Sequence, residues 1–460
     1  MKRNLSKLLF QNPKLKTVLP ILNGVNKKGG IYLVGGAVRD ALLKRTPDDF
    51  DFAVSGSGIA FAQKFAKQTR GAFVLLSQPD DEARVVIDKT TYDFNGLGKK
   101  PLQNDLARRD YTVNAMAIDL RKPNTIIDKL NSRRHLKQKL LVPASENSLK
   151  LDPLRILRAF RLALELNFQV SDKVFLLARD ITLTKIASER ISYELLRICE
   201  STKSHKYVKQ LYKLNLLEQI LPQAIPLLRD KPLFAHSLRT YHKIELLVSR
   251  KSYFNRFQDE YDKYFTGFPF RRALLKITGL LHDIAKPQTQ FKTSEGDVHF
   301  YGHDNLGAKM VKQLASEKLR LSRKQTQMLK DLVSYHMRLH LLATAPELTD
   351  RAIRRFFRDL GDEFFGLMIL TYADGYATAK ITSHLERTFT RMMKLKKADD
   401  SKKKVIRLIN GNDLIALGYK PGPFFKTILQ ELEELQLDGK IKNKEQGLEY
   451  IKNHFPELTT

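Results

Sequence analysis

Apolar positions along this chain change their period once, and the change divides it in two. Over residues 31–120, short apolar and β-branched runs alternate with segments of helical spacing. A strand is predicted from Ile31, followed by a Gly-Gly turn, a short helix and a second strand in DDFDFAV. ARVVIDKTTYDFNGLG (83–98) is predicted as a hairpin: Arg84–Ile87, a turn at Asp88-Lys89, then Thr90–Phe94. AIDL (117–120) reads as a further strand. From about 148 the period becomes helical almost without break. DPLRILRAFRLALEL places Leu154, Leu157, Phe160 and Leu164 on one helix face, and SERISYELLRICES does the same with Ile191, Leu195 and Ile198. No later strand pattern is expected. The N-terminal Leu8, Leu9, Val18, Leu19 and Leu22 read as one face of helices packed under the strand at Ile31. The charge-rich run KLKKADDSKKKVIR (394–407) is predicted as a linker before a compact helical unit at 408–456. The expected fold class is α+β, an α/β head on a mostly helical body, divided at 1–145, 146–232, 233–393 and 394–460.

Composition adds a partner and a compartment. A chain of 460 residues is too long for one ordinary core. Its 80 Lys and Arg against 50 acids leave a net charge of +30, which calls for a polyanion, with RNA or DNA leading. No apolar run reaches 18 residues, so a membrane span is not expected. Cys199 is the only cysteine, so no intrachain disulfide can form and a cytoplasmic, reducing location fits best. The first 39 residues lack acids, as a transit peptide would, but their leucines are already assigned to packed helices. A monomer is favoured.

The candidate chemistry of the head begins at LVGGAVRDALLKRTPDDFDFAV (33–54). Gly35 and Gly36 permit a sharp turn and close backbone approach to a phosphate. Asp49 and Asp51, two apart on a strand, point to one face. Two carboxylates beside such a turn suit a pair of Mg²⁺ ions and a nucleoside triphosphate. Asp93, on the second hairpin strand, is the third candidate acid; Asp88 competes but reads as a turn residue. In LARRDYTVNAMAID, Arg108 and Arg109 are natural triphosphate clamps, while Asp110 and Asn114 share a face and could hold ribose hydroxyls or simply open a helix.

GGAVRD, DFD, RRDYTVNAMAID and DPLRILRAFR, in this order, resemble the bacterial-type (class II) tRNA nucleotidyltransferase and poly(A) polymerase family. The resemblance implies a polymerase-β-like nucleotidyltransferase head, then a helical neck, body and tail that bind RNA. It implies template-independent addition of CCA to a tRNA 3′ end from CTP and ATP, with Mg²⁺. By it, Asp49, Asp51 and Asp93 are the catalytic acids, and Gly35, Gly36 and Arg39 of GGAVRD belong to the nucleotide site. Asp152 and Arg155 become the pair that reads the base, with Arg158 and Arg161 completing the pocket. An Asp accepts from an exocyclic amine and an Arg donates to a ring nitrogen or carbonyl, the pattern cytosine and adenine share. Asp152-Pro153 is equally a good helix start, and the two roles are compatible. The chain departs from the family at Leu151, where many relatives carry Glu. CC-adding, A-adding and poly(A)-tailing relatives are the alternatives. The basic motif of the tailing branch is absent after the DFD strand.

A second set, His236, His282-Asp283, His303, His336 and Asp374, follows the order of the HD phosphohydrolase superfamily, which it resembles. An adjacent His-Asp pair with distant His and Asp can hold a divalent metal of unspecified identity. Such a metal would activate water for phosphoester hydrolysis, as an additional or even the main activity. His242 and His340 are expected to lie outside the ligand set. GYKPGP (418–423) is read as a turn opening a helix that meets RNA phosphate, or as an ordinary loop-to-helix junction; Lys402–Lys404 are read as solvated linker or RNA contact.

Overall fold

The structure, a computed structural model, describes residues 9–25, 29–380, 382–401, 408–437 and 439–455. Contacts divide it into two units: 1–229 with 269–274 and 313–323, and 230–268 with 275–312 and 324–460.

The first unit is built on a seven-stranded sheet of order β3-β4-β5-β2-β1-β6-β7. The strands are β1 Ile31–Val34, β2 Phe50–Val54, β3 Ala72–Ser77, β4 Glu82–Ile87, β5 Thr90–Gly96, β6 Met116–Asp119 and β7 Ile126–Asp128. The expected hairpin is present: β4 and β5 pair antiparallel from Ile87↔Thr90. Asp88 and Lys89 make its two-residue turn with φ of 45° and 67°, a handedness that matches the strand twist. The pair that matters for chemistry is the one sequence-distant parallel pair, β2 with β5, in the register Asp51↔Asp93. One sheet face is sealed by Phe52, Phe94, Phe61 and Phe65, the last two on α3 (Gly58–Thr69). Alternation along each strand therefore turns Asp51 and Asp93 to the opposite, open face. Helix α1 (Pro13–Val25) buries Val18 and Leu22 of the expected face, and Leu15 besides, with Leu19 half-buried; Leu9 is buried ahead of it, and Leu8 lies outside the described residues.

Beyond the sheet, α5 (Arg155–Leu166) and α6 (Ser188–Glu200) pack together within this unit, burying Phe160, Leu157, Ile191 and Leu195. The second unit is helical, with α7 (Lys231–Ser249) packed on α11 (Phe364–Ala379).

Two expectations are corrected. Strands do return after 148: Gln290–Lys292 pairs with Val298–Phe300, and Leu140–Leu141 with Gln169–Val170. These segments are too short for a period to register. The run at 394–407 is not all linker, because α12 (Ser383–Ser401) carries helix through its first eight residues. Its charges are used: Lys396 pairs with Asp400 one turn on, and Asp399 with Arg354. Lys402–Lys404 lie outside the described residues.

Candidate functional site

On the open face of the sheet, an aligned row of residues crosses β3, β4, β5 and β2: Val74, Arg84, Asp93 and Asp51. Asp49 precedes β2 rather than lying in it; its Oδ1 accepts from Thr91 Oγ1 at 2.5 Å. Asp51 reaches under the glycine turn. Gly35 has φ 74°, and a Cβ there would stand 2.6 Å from Asp51 Oδ2 and 2.9 Å from Arg109 Nη1. Glycine is required both for that backbone angle and for this approach. Burial pushes the Asp51 carboxyl up to about 6; Arg109 opposes the shift, and the nearby Asp93 and Asp49 charges add to it. A carboxylate held at such cost beside two others fits a divalent cation, which would relieve it. Arg84 meanwhile grips Asp93 with two bonds, at 2.7 and 2.8 Å.

Asp51 and Asp93 line a cleft of about 390 Å³ with Phe52, Leu76, Glu82, Phe94, Asn95, Asp105, Arg108, Arg109, Asp110, Asp152, Arg155 and Arg158. The arginines are held by acids beneath them. Buried Asp105 accepts from Arg108 and Arg109, each at 3.0 Å, and from Asn95. Burial would raise the Asp110 carboxyl. Arg158, which donates to it at 2.9 and 3.1 Å, together with Asn114 and the Tyr111 amide, instead holds it below the usual carboxylate range.

Base-reading candidates Asp152 and Arg155 both line this cleft but do not pair with one another. Asp152 Oδ1 accepts from the Leu154 amide at 3.2 Å, the capping role, and Oδ2 from Arg190 at 3.0 Å. Arg155 Nη1 is anchored on Arg109 O, Ser148 O and Ser148 Oγ, leaving Nε and Nη2 as donors. Leu151 is exposed.

Six expected site residues are not among those lining the cleft: Gly35 and Gly36 at the turn, Asp49 before β2, and Arg39, Asn114 and Arg161. Arg161 is turned to Glu194 and Glu165, at 2.7 and 2.9 Å. Arg39 donates to Asp40 and to Asn114 Oδ1, and Asn114 in turn donates to Asp110. Arg39 and Asn114 therefore position Asp110, and Asn114 has both ends of its amide engaged.

Reading the sequence alone passes over Arg84, Asp105, Arg190 and Glu194. Two of these leave a signal. A two-residue turn at 88–89 puts position 84 opposite 93 by simple counting, and Asp105 stands three and four residues before the arginines it holds. Arg190 and Glu194 meet their partners only through tertiary packing.

In the second unit the six HD residues converge. Ligand-capable atoms of His236, His282 and Asp283 lie within 4.8 Å of one another, as do those of Asp283, His303 and His336. Asp374 Oδ1 stands 2.9 Å from His236 Nε2 and 3.4 Å from His282 Nε2. The Nδ1 atoms of His282, His303 and His336 face the carbonyls of Gly279, Phe300 and Val333 at 3.0, 2.6 and 2.7 Å. A carbonyl only accepts, so those nitrogens carry a proton, and in the neutral ring Nε2 is the atom left to bind a metal. The donor set fits a divalent metal. His340 contacts Asp374 Oδ2 at 3.2 Å.

Comparison with known proteins finds a family model over each of the two candidate sites. A poly A polymerase head domain model matches residues 31–142 and an HD domain model matches 233–379. A tRNA nucleotidyltransferase domain 2 model matches 365–451. The A-adding tRNA nucleotidyltransferase of Deinococcus radiodurans is 29% identical over 93% of this chain and 96% of its own length. The CC-adding tRNA nucleotidyltransferase of Thermus thermophilus is 29% identical over 91% and 92%. Among solved structures, the Thermotoga maritima CCA-adding enzyme complexed with tRNA shares the fold, with TM-score 0.67, 20% identity and 98% of both chains covered. The chain belongs to the class II tRNA nucleotidyltransferase and poly(A) polymerase family, as one of its HD-domain-containing members. Both of its domain families use divalent metals.

Proposed function

We propose that this protein adds CCA to the 3′ end of tRNA, without a template, from CTP and ATP, releasing pyrophosphate. The carrying observation is the single cleft that joins Asp51 and Asp93 to the arginine row and to Asp152 and Arg155. Mg²⁺ held by Asp49, Asp51 and Asp93 would lower the pKa of the RNA 3′-hydroxyl and neutralise the triphosphate. Arg108 and Arg109, fixed by Asp105, bind the triphosphate. Asp110, oriented by Asn114 and Arg158, lies at the level of the ribose. Asp152 retains acceptor capacity for an exocyclic amine, and Arg155 donates to the neighbouring acceptor. On the Watson–Crick edge, cytosine and adenine offer an amine beside a ring acceptor and satisfy both; uracil has no amine, and the amine of guanine stands beside a ring N–H, so neither offers the pair. The same Asp152 that caps α5 therefore does the reading, so base choice is tied to the position of a rigid helix.

A second reading concerns the product. The Deinococcus and Thermus relatives are named A-adding and CC-adding. The test is to supply one labelled nucleotide at a time to tRNA lacking all of CCA, tRNA ending in CC, and complete tRNA. Full addition predicts CTP incorporation on the first and ATP on the second, with none on the third. Incorporation of only one nucleotide type assigns a partial product, long A tracts assign tailing, and no incorporation removes the proposal.

The cluster around Asp283 supports a divalent metal in the second unit and, with it, phosphoester hydrolysis. Asp283→Ala is expected to lose that metal and any phosphatase activity while nucleotide addition continues.

A further inference from the structure

Edge strands of soluble proteins are normally short, charged or covered, because a bare apolar edge invites association. β3 is an edge strand of six residues with no charge. Phe73, Val74, Leu75 and Leu76 are 37, 43, 48 and 45% exposed in succession. Such a run of unburied apolar residues marks a binding surface.

The register says which part of it belongs to the active site. Val74 pairs with Arg84, Arg84 with Asp93 and Asp93 with Asp51, so Val74 shares the face of the catalytic acids. At the usual strand spacing it lies about 10 Å from Asp93 along the sheet. Leu76 lines the catalytic cleft itself. The cleft runs from Leu76 and Glu82 through Arg108, Asp105 and Arg109, which ion pairs link in that order from Glu82, to the separate pair Asp110–Arg158. Asp152 and Arg155 line it too, and Arg158 meets Asp110 near them. The incoming nucleotide's base and triphosphate occupy the Asp152 and arginine part. The other reactant, an RNA 3′ end, must reach the same acids with its base elsewhere, and Leu76 is the exposed large apolar side chain lining the cleft, whereas Phe52 and Phe94 are buried.

We propose that Val74 and Leu76 form the platform on which the 3′-terminal base of the RNA rests, making them positioning residues for the primer and not for the nucleotide. Bases lie flat on apolar side chains with little regard to identity, which suits a terminus that changes after each addition. The inference rests on the nucleotidyltransfer reading above.

The test separates the two reactants. Leu76→Ala and Val74→Ala sit on exposed positions, and thermal melts check that the fold is kept. Each is expected to raise KM for tRNA about tenfold with KM for CTP unchanged, the size of one weakened base contact. Wild-type protein is also mixed with tRNA carrying 4-thiouridine at its 3′ end, without nucleotide, and irradiated. A crosslink mapping to 72–77 is expected. The inference is overturned by a rise in KM for CTP alone, by unchanged kinetics, by a crosslink elsewhere, or by an effect confined to self-association. The crosslink needs no turnover, so failure of nucleotide addition by the wild type would count against the enzymatic reading and leave this contact to be judged separately.

Discussion

Asp51 concentrates the electrostatics of the head. Its carboxyl sits at about 6 because burial, then Asp93 and Asp49, disfavour the charge that the chemistry needs. The unfolded value is 3.8, so the metal-free fold is favoured below about pH 4 by this group, and that contribution is lost as pH rises to 6. Asp51→Asn should therefore raise the metal-free stability at pH 7 by about 1–3 kcal/mol in denaturant melts while abolishing nucleotide transfer. A destabilised Asn variant would show that the carboxylate is paired and not strained. The same protonation competes with metal. The Mg²⁺ concentration for half-maximal transfer should rise as pH falls below about 6, steepening toward tenfold per unit, and stay flat above 7. A flat profile down to pH 5 would remove Asp51 from the metal site.

At the scale of elements, one turn and one register make the site. Gly35→Ala would force a Cβ against Asp51 Oδ2 at 2.6 Å and hold a side chain at φ 74°. The expected cost is about 1–3 kcal/mol, with transfer lost because Asp51 must move. The variant is checked by melts and single-turnover addition; retained activity would make the turn incidental. Much of this was legible beforehand. Period-two runs gave β1, β2 and the β4–β5 hairpin, and two apart on a strand put Asp49 and Asp51 on one side, although Asp49 stands just outside β2. The Asp51↔Asp93 pairing was a matter of which strands neighbour each other, which local period does not encode. Arg161 shows the opposite failure. It follows Arg158 at helical spacing, but Glu194 on α6 draws it away, and no local signal announces that acid. The helix through 394–401 escaped notice because its apolar contacts, Met392 and Met393, precede the charge run.

For the whole molecule the decisive quantity is charge. A surplus of 30 positive charges is far beyond what a nucleotide needs and matches a polyphosphate partner. If six to ten phosphates are neutralised, tRNA affinity should fall about 10³–10⁵-fold between 50 and 200 mM salt, against a weak dependence for CTP. A shallow tRNA slope would mean that only the acceptor terminus is held. The two units carry separate candidate sites, and each variant above leaves the other unit's residues untouched. The account's central claim is that Asp49 and Asp51 hold divalent cations against the Gly35 turn. Crystals grown with Mn²⁺ and a non-hydrolysable CTP analogue test it most directly. Anomalous peaks within about 2.5 Å of both carboxylates, with the triphosphate reaching Arg108 and Arg109, are predicted. Nucleotide bound with no cation at either aspartate would contradict it.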